Sequence, residues 1–140
     1  DSLALLKELT IEELDGDKDL LSKCQSMISN WKNELMLPDH ALKAASDPDT
    51  HLFAEFYARY AQHMKAYNAL DFDDLILIPT LMLKNYPEVR ERWQSKIKYM
   101  LVDEYQDTNA SQYELVKLIT GKEGLLTVVS LFTPDGYVSI

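Results

Sequence analysis

Ile97-Lys98-Tyr99-Met100-Leu101-Val102-Asp103-Glu104-Tyr105-Gln106-Asp107-Thr108-Asn109-Ala110-Ser111-Gln112 is the stretch on which the reading of this chain turns. From Tyr99 to Val102 the residues are apolar without interruption, and the run stops on two adjacent acids, Asp103 and Glu104. A strand buried on both faces reads this way and delivers acidic side chains to its C-terminal end. In nucleotide hydrolases built on such a Walker B strand, the first carboxylate holds Mg²⁺, usually through water. The second faces the water that attacks the terminal phosphate. On that chemistry Asp103 is the metal- and cofactor-binding candidate and Glu104 the catalytic base. Many buried strands also end in a solvated acidic turn, so the pair taken alone leaves both readings open.

Downstream, Asn109 to Ile119 reads as a helix with Tyr113, Leu115, Val116, Leu118 and Ile119 apolar, and Gly121 suits its stop. Leu125 to Val129 is then a second apolar strand. Strand, helix and strand in this length imply a right-handed crossover with parallel strands. Upstream, Pro87 is a good first-turn residue for a helix through Trp93 that feeds the Lys98 to Val102 strand.

The first 95 or so residues read as helical. Ser2 opens a short helix carrying Leu3, Leu5, Leu6 and Leu9, and Asp15-Gly16-Asp17 is a turn. Leu20, Cys24, Met27, Ile28, Trp31 and Leu35 recur at spacings of three and four, one apolar stripe with Lys18, Lys23 and Lys32 off it. Pro38 and Pro48 break the pattern around a short helical piece from His40 to Ala45. A third long helix begins near Asp49 or Thr50, with Leu52, Phe53, Phe56, Tyr57, Tyr60, Met64 and Tyr67 at helical spacing. Such aromatics could stack on single-stranded bases, but with only Arg59 and Lys65 among them, core packing is the expectation. Asp71, Asp73 and Asp74 then surround Phe72. Asp73 is placed to cap the helix from Leu75 to Met82, in which Pro79 predicts a kink.

The expected fold is therefore mainly α with a small parallel β part. A helical bundle occupies residues 1–95, an incomplete RecA-like α/β segment 96–129, and an atypical tail 130–140. At 140 residues, 46% hydrophobic and 26% charged, the chain can bury a respectable core. It has no apolar run long enough to span a membrane and no basic, apolar leader at its start, so the expectation is a cytoplasmic protein. Cys24 is the only cysteine, which excludes an internal disulfide, and His40, His51 and His63 have no partner at metal-ligand spacing. The net charge of −9 is the wrong sign for a domain whose whole surface grips phosphate, so any nucleic-acid contact must be local. The one basic concentration runs from Lys84 to Lys98, and within it Arg90, Arg92 and Lys96 are the DNA-contact candidates. A solvated helix face with paired charges explains the same residues.

Asp103-Glu104-Tyr105-Gln106-Asp107-Thr108, followed by Asn109 and Gln112, resembles the second conserved motif of superfamily 1 DNA helicases of the Rep, PcrA and UvrD group. The likeness extends through Leu70-Asp71-Phe72-Asp73-Asp74-Leu75, Arg90 to Trp93 and Ser29-Asn30-Trp31-Lys32-Asn33, and it is strongest to the Rep branch. It covers nearly everything from Asp1 to Val129. The resemblance implies a fragment comprising helical subdomain 1B and the Walker B part of motor subdomain 1A. The intact protein would be an ATP-dependent, Mg²⁺-requiring motor that moves 3′ to 5′ along single-stranded DNA and unwinds duplex. The aspartates at 71 to 74 would mark the return from the inserted helical subdomain to the motor core.

Two departures qualify that reading. No Gly-x-x-x-x-Gly-Lys-Ser/Thr occurs, so the loop that cradles phosphates is missing and the isolated chain is expected to bind no nucleotide and to be inactive. After Val129 the family's Gly-Asp-x-x-Gln is replaced by Ser130-Leu131-Phe132-Thr133-Pro134, so none of that motif's roles carries over. The two apolar strands, with few neighbours to cover them, predict exposed apolar surface or self-association. Two readings from other classes stand beside the helicase one: a non-enzymatic interaction module, and a metal-dependent nuclease built from the acids at 71 to 74 and 103 to 107.

Overall fold

The computed structural model describes residues 2–9 and 17–128, so the expected Asp15-Gly16 turn, Val129 and the tail from Ser130 lie outside the described residues. Two compact units divide between Leu75 and Ile76. The first is helical: α1 (Ser2–Leu9), α2 (Lys18–Asn33), α3 (Pro38–Ala44), α4 (Pro48–Ala66) and the start of α5 (Asp74–Asn85). The second holds the rest of α5, then α6 (Pro87–Lys96), β1 (Tyr99–Val102), a single 3-10 turn (Tyr105–Asp107), α7 (Ala110–Thr120) and β2 (Leu125–Val128). The protein is thus mostly helical with a small parallel sheet.

Local chemistry sets the helix ends of the first unit. Asp17 caps α2 by accepting from the Asp19 and Leu20 N–H groups, and Asp47 caps α4 through the Thr50 N–H and hydroxyl. Pro38 and Pro48, expected to interrupt helices, instead open α3 and α4, where a missing N–H costs nothing. Both long helices close in the same way. Met36 N–H reaches back to Trp31 C=O and Ala69 N–H to Met64 C=O, across Leu35 (φ 60°) and Asn68 (φ 50°) in the left-handed region.

The predicted stripes of α2 and α4 face one core of Cys24, Ile28, Trp31, Phe53, Phe56, Tyr57, Tyr60 and Met64, joined by Leu6 and Ala41. Phe56 is wholly buried, a burial that stabilises by roughly 1.5–3 kcal/mol. Trp31 stacks on Tyr57 at 5.8 Å and 14°, and the Tyr57 hydroxyl donates to Met36 C=O at 2.9 Å. Burial, reinforced by the charges of Asp74, Asp71 and Asp73, pushes the Tyr57 phenol far up. Burial alone pushes the Cys24 thiol up to about 12, which keeps it an unreactive core residue.

Lys32, expected only to lie off the apolar stripe, is buried: it is only 4% exposed, and its Nζ donates to Asp71 Oδ2 at 2.6 Å and Asp74 Oδ1 at 2.8 Å. The Tyr60 hydroxyl also donates to Asp71 Oδ2, at 2.8 Å, and the Lys32 ammonium lies 5.2 Å from the Tyr60 ring centroid. The two aspartates cap one another: Asp74 N–H donates to Asp71 Oδ1 and Asp71 N–H to Asp74 Oδ2. The helix-start role expected of Asp73 therefore falls to Asp71.

In the second unit the strands pair in parallel, Tyr99 with Leu125 through Val102 with Val128. Tyr99 is 76% and Leu101 68% exposed, so the apolar run does not have both faces covered by the described residues. Gly121 stops α7 at φ 65°, as expected.

Lys32→Ala is expected to destabilise the first unit by about 3–5 kcal/mol in urea unfolding, because two buried carboxylates lose their cation. Burial raises the Asp71 pKa, but the bonds from Lys32 and Asp74 N–H, the Lys32 charge and the Tyr60 hydroxyl outweigh it, and the net direction is down. A depressed carboxylate contributes stability that is whole above its unfolded value, roughly 3.9, and is lost as pH falls through the folded pKa. Urea midpoints measured from pH 7 to pH 3 should fall at the acid end in the native chain, and less steeply in Asp71→Asn.

Candidate functional site

β1 ends at Val102, and the next two residues are Asp103 and Glu104, both exposed. Asp103 Oδ1 accepts from the Glu104 N–H at 2.8 Å, which ties the first carboxylate to the backbone just beyond the strand. Glu104 sits at φ 50°, ψ 40°, a left-handed conformation in a residue with a Cβ. Its carbonyl then accepts from Asp107 N–H at 3.0 Å, so the chain turns sharply through Tyr105–Asp107 before α7. The left-handed turn ends the strand and sets two neighbouring carboxylates at its C-terminal end.

The remainder of the motif is structural. Asn109 caps α7: its Oδ1 accepts from Gln112 N–H at 2.9 Å and from the Ser111 hydroxyl at 2.8 Å. Gln112 Oε1 accepts in turn from Asn109 N–H at 3.2 Å, completing a capping box. The Asn-x-x-Gln spacing carried that signal in the sequence and was read only as part of the family likeness.

Among the described residues no group of three or more His, Cys, Asp or Glu is arranged to hold a metal ion. Within the first unit, Asp71 and Asp74 are taken up by Lys32. Asp103 and Glu104 nevertheless fit Mg²⁺, a hard cation that binds through one or two carboxylates and completes its shell with waters and substrate phosphates.

The basic candidates separate. Arg92 and Lys96 are exposed on α6, and the Lys96 ammonium lies 5.4 Å from the Trp93 ring centroid. Arg90 is half-buried, its Nη1 donating a long bond, 3.4 Å, to Leu83 C=O. Arg90 lines a groove with Lys98, Lys117 and Lys122, and Arg92 and Lys96 lie off that lining.

The chain belongs to the UvrD/REP helicase N-terminal domain family, which it matches over residues 1–130. It is 58% identical over 129 residues to the ATP-dependent DNA helicase Rep of Salmonella typhimurium, covering 92% of this chain and 19% of that protein. It is 57% identical to the Rep helicase of Escherichia coli over the same length and shares. The ATP-dependent DNA helicase PcrA of Staphylococcus aureus is 42% identical over 130 residues, covering 92% of this chain and 18% of that protein. The chain spans about a fifth of the length of these relatives. No helix among the described residues is long and apolar enough to cross a membrane.

The backbone at Glu104 yields a direct test. A left-handed residue with a Cβ costs roughly 1–2 kcal/mol, which glycine avoids at some cost in unfolded-chain entropy. Thermal unfolding of Glu104→Gly is expected to show unchanged or higher stability, by up to about 1 kcal/mol, whereas Glu104→Val, with its branched Cβ, should lose about 1 kcal/mol or more.

Proposed function

We propose that this chain is part of a cytoplasmic ATP-dependent DNA helicase of the Rep, PcrA and UvrD group. Residues 1–95 are assigned to a helical 1B-like subdomain and residues 96–129 to the Walker B part of motor subdomain 1A. The observation that carries the proposal is the exposed Asp103-Glu104 pair at the C-terminal end of parallel strand β1, in a chain 58% identical to a Rep helicase. The assembled protein would couple ATP hydrolysis to 3′ to 5′ movement on single-stranded DNA and to duplex unwinding.

In that protein Asp103 would hold Mg²⁺, through water or directly, and Glu104 would orient and deprotonate the attacking water. When bound, the metal neutralises charge on the transferred phosphoryl group. The Glu104 N–H holds Asp103 at the end of the strand, and the left-handed conformation of Glu104 turns the chain immediately after it. Arg90, Arg92 and Lys96 on α6 are the assigned DNA-phosphate contacts. The present chain contains no Gly-x-x-x-x-Gly-Lys-Ser/Thr, so by itself it lacks the phosphate cradle and should not turn over ATP.

In the intact protein, Glu104→Gln should leave Mg-ATP affinity nearly unchanged while lowering kcat by about 10²–10⁴-fold. Asp103→Asn should weaken both Mg²⁺ dependence and turnover. Equal loss of ATP binding and turnover in Glu104→Gln would assign Glu104 a structural role, and tight stoichiometric Mg-ATP binding by the present chain in isothermal titration would overturn its assignment as a partial site.

A further inference from the structure

The segment that carries Asp103 and Glu104 is anchored at two places. On its N-terminal side Val102 pairs with Val128, the last position of the parallel ladder. On its C-terminal side Asn109 opens α7 with a capping box. Between these anchors Glu104 lies at φ 50°, ψ 40°, with its carbonyl accepting from Asp107 N–H at 3.0 Å and the Tyr105 carbonyl accepting from Thr108 N–H at 3.1 Å. Two backbone bonds in an exposed turn open easily when an end of the turn is released. A residue with a Cβ leaves the left-handed region when it is free to do so, so the conformation of Glu104 depends on both anchors.

The C-terminal anchor is bound more tightly than the start of a helix requires. Asn109 Oδ1 accepts two bonds at once, from Gln112 N–H at 2.9 Å and from the Ser111 hydroxyl at 2.8 Å, and Ser111 is only 1% exposed. Gln112 Oε1 returns to Asn109 N–H at 3.2 Å. A helix start is satisfied by a single side-chain acceptor. Here Asn109 is fixed both through its side chain and through its own N–H, and the residue before it, Thr108, ends the 3-10 turn. Only Tyr105 to Thr108 separate Glu104 from Asn109, a length too short to absorb a displacement at one end without turning the other.

We propose that Asn109 and Gln112 are positioning residues for Glu104: their capping box, acting through the 3-10 turn, sets where the Glu104 carboxylate stands, and neither side chain touches nucleotide or metal. The proposal rests on the reading of Glu104 as the base for ATP hydrolysis. The alternative is a box that stabilises α7 and does nothing more. The other end of the same helix separates the two. Gly121 closes α7 at φ 65°, where an added Cβ would stand 2.9 Å from Gln94 Cδ, so Gly121→Ala strains α7 away from the Glu104 turn.

In the intact protein, Asn109→Ala should lower kcat for ATP hydrolysis roughly tenfold, about the rate equivalent of one lost cap, with Mg-ATP affinity changed by less than about twofold. Asn109→Asp keeps an acceptor for both donors and should stay within about threefold of the native kcat. Asn109→Gly removes the acceptor at little cost to the helix start, so it should lose turnover as Asn109→Ala does while remaining more stable, and it carries the test if the alanine variant does not fold. A double-mutant cycle with Glu104→Ala gives the sharpest reading: with no carboxylate left to place, Asn109→Ala should lower the residual turnover by less than about twofold. Gly121→Ala should lower the thermal midpoint at least as far as Asn109→Ala and leave kcat unchanged. The proposal would be overturned by native kcat in both Asn109→Ala and Asn109→Gly, by a loss that persists undiminished in the Glu104→Ala background, or by an equal loss of kcat in Gly121→Ala. If Glu104→Ala itself leaves kcat unchanged, the assignment of the base fails and the positioning role with it. If Glu104→Ala lowers kcat and the Asn109 variants do not, the positioning role alone fails.

Discussion

One buried ammonium holds the first unit in register. Taking Lys32 out of water costs several kcal/mol, on the order of what each ion of a buried pair costs after relaxation. The cost is offset only because each of its partners is itself fully engaged. Asp71 and Asp74 each give one oxygen to Lys32 and the other to the backbone N–H of their neighbour, and Tyr60 adds a third contact. The arrangement ties the last turn of α2 to the turn before α5 and to the inner face of α4. Removing Lys32 would leave both carboxylates without their cation, and removing either aspartate would cost the ammonium one of its two partners. This is also why three aspartates in four positions are not a metal site here: two of them already have their cation, supplied by the protein itself.

The same distinction between anchored and available groups separates the residues of the 103–112 motif. Asn109 and Gln112 spend their side chains on each other's backbone at the start of α7, and Ser111 is buried against them. Asp103 spends one oxygen on the Glu104 N–H. Glu104, exposed and in a left-handed conformation, is held in place by the backbone turn around it. Strain of this kind persists where surrounding bonds over-determine the conformation, and here the capped helix on one side and the paired strand on the other supply them.

What could be read in the sequence was what depends on neighbours within a turn or two. The stripe Cys24, Ile28, Trp31 and the aromatics of α4 are buried as their spacing implied, Pro87 opens α6, Gly121 closes α7, and the two strands are parallel. The failures are long-range. The burial of Lys32 could not be read from its neighbours because its two counter-ions lie 39 and 42 residues away. Asp73 looked like the cap because nothing local favours Asp71 until Lys32 is in place. Tyr99 and Leu101 read as covered on both faces, but burial of a strand is a property of the whole sheet, and the described chain supplies one partner strand. Of the candidate site, the identity and order of Asp103 and Glu104 were legible, whereas the left-handed turn that positions them was not.

The distribution of charge along β1 follows from the separation of its ends. Three steps of a parallel strand span roughly 10 Å, about one Debye length at 0.1 M salt. Two carboxylates at one end and four cations around the other therefore act nearly independently in solution, although they belong to one strand and its flanking helices. A net charge of −9 repels polyanions from most of the molecule, so it weakens indiscriminate attachment. The basic stretch from Lys84 to Lys98 could not reveal the groove, since only Arg90 and Lys98 of its cations line it and the others that do, Lys117 and Lys122, come from the far end of α7 and the turn beyond it. The groove exists because parallel pairing returns the chain to the start of β1, and the register Tyr99 to Leu125 is what brings cations some twenty residues apart in sequence onto one concave surface.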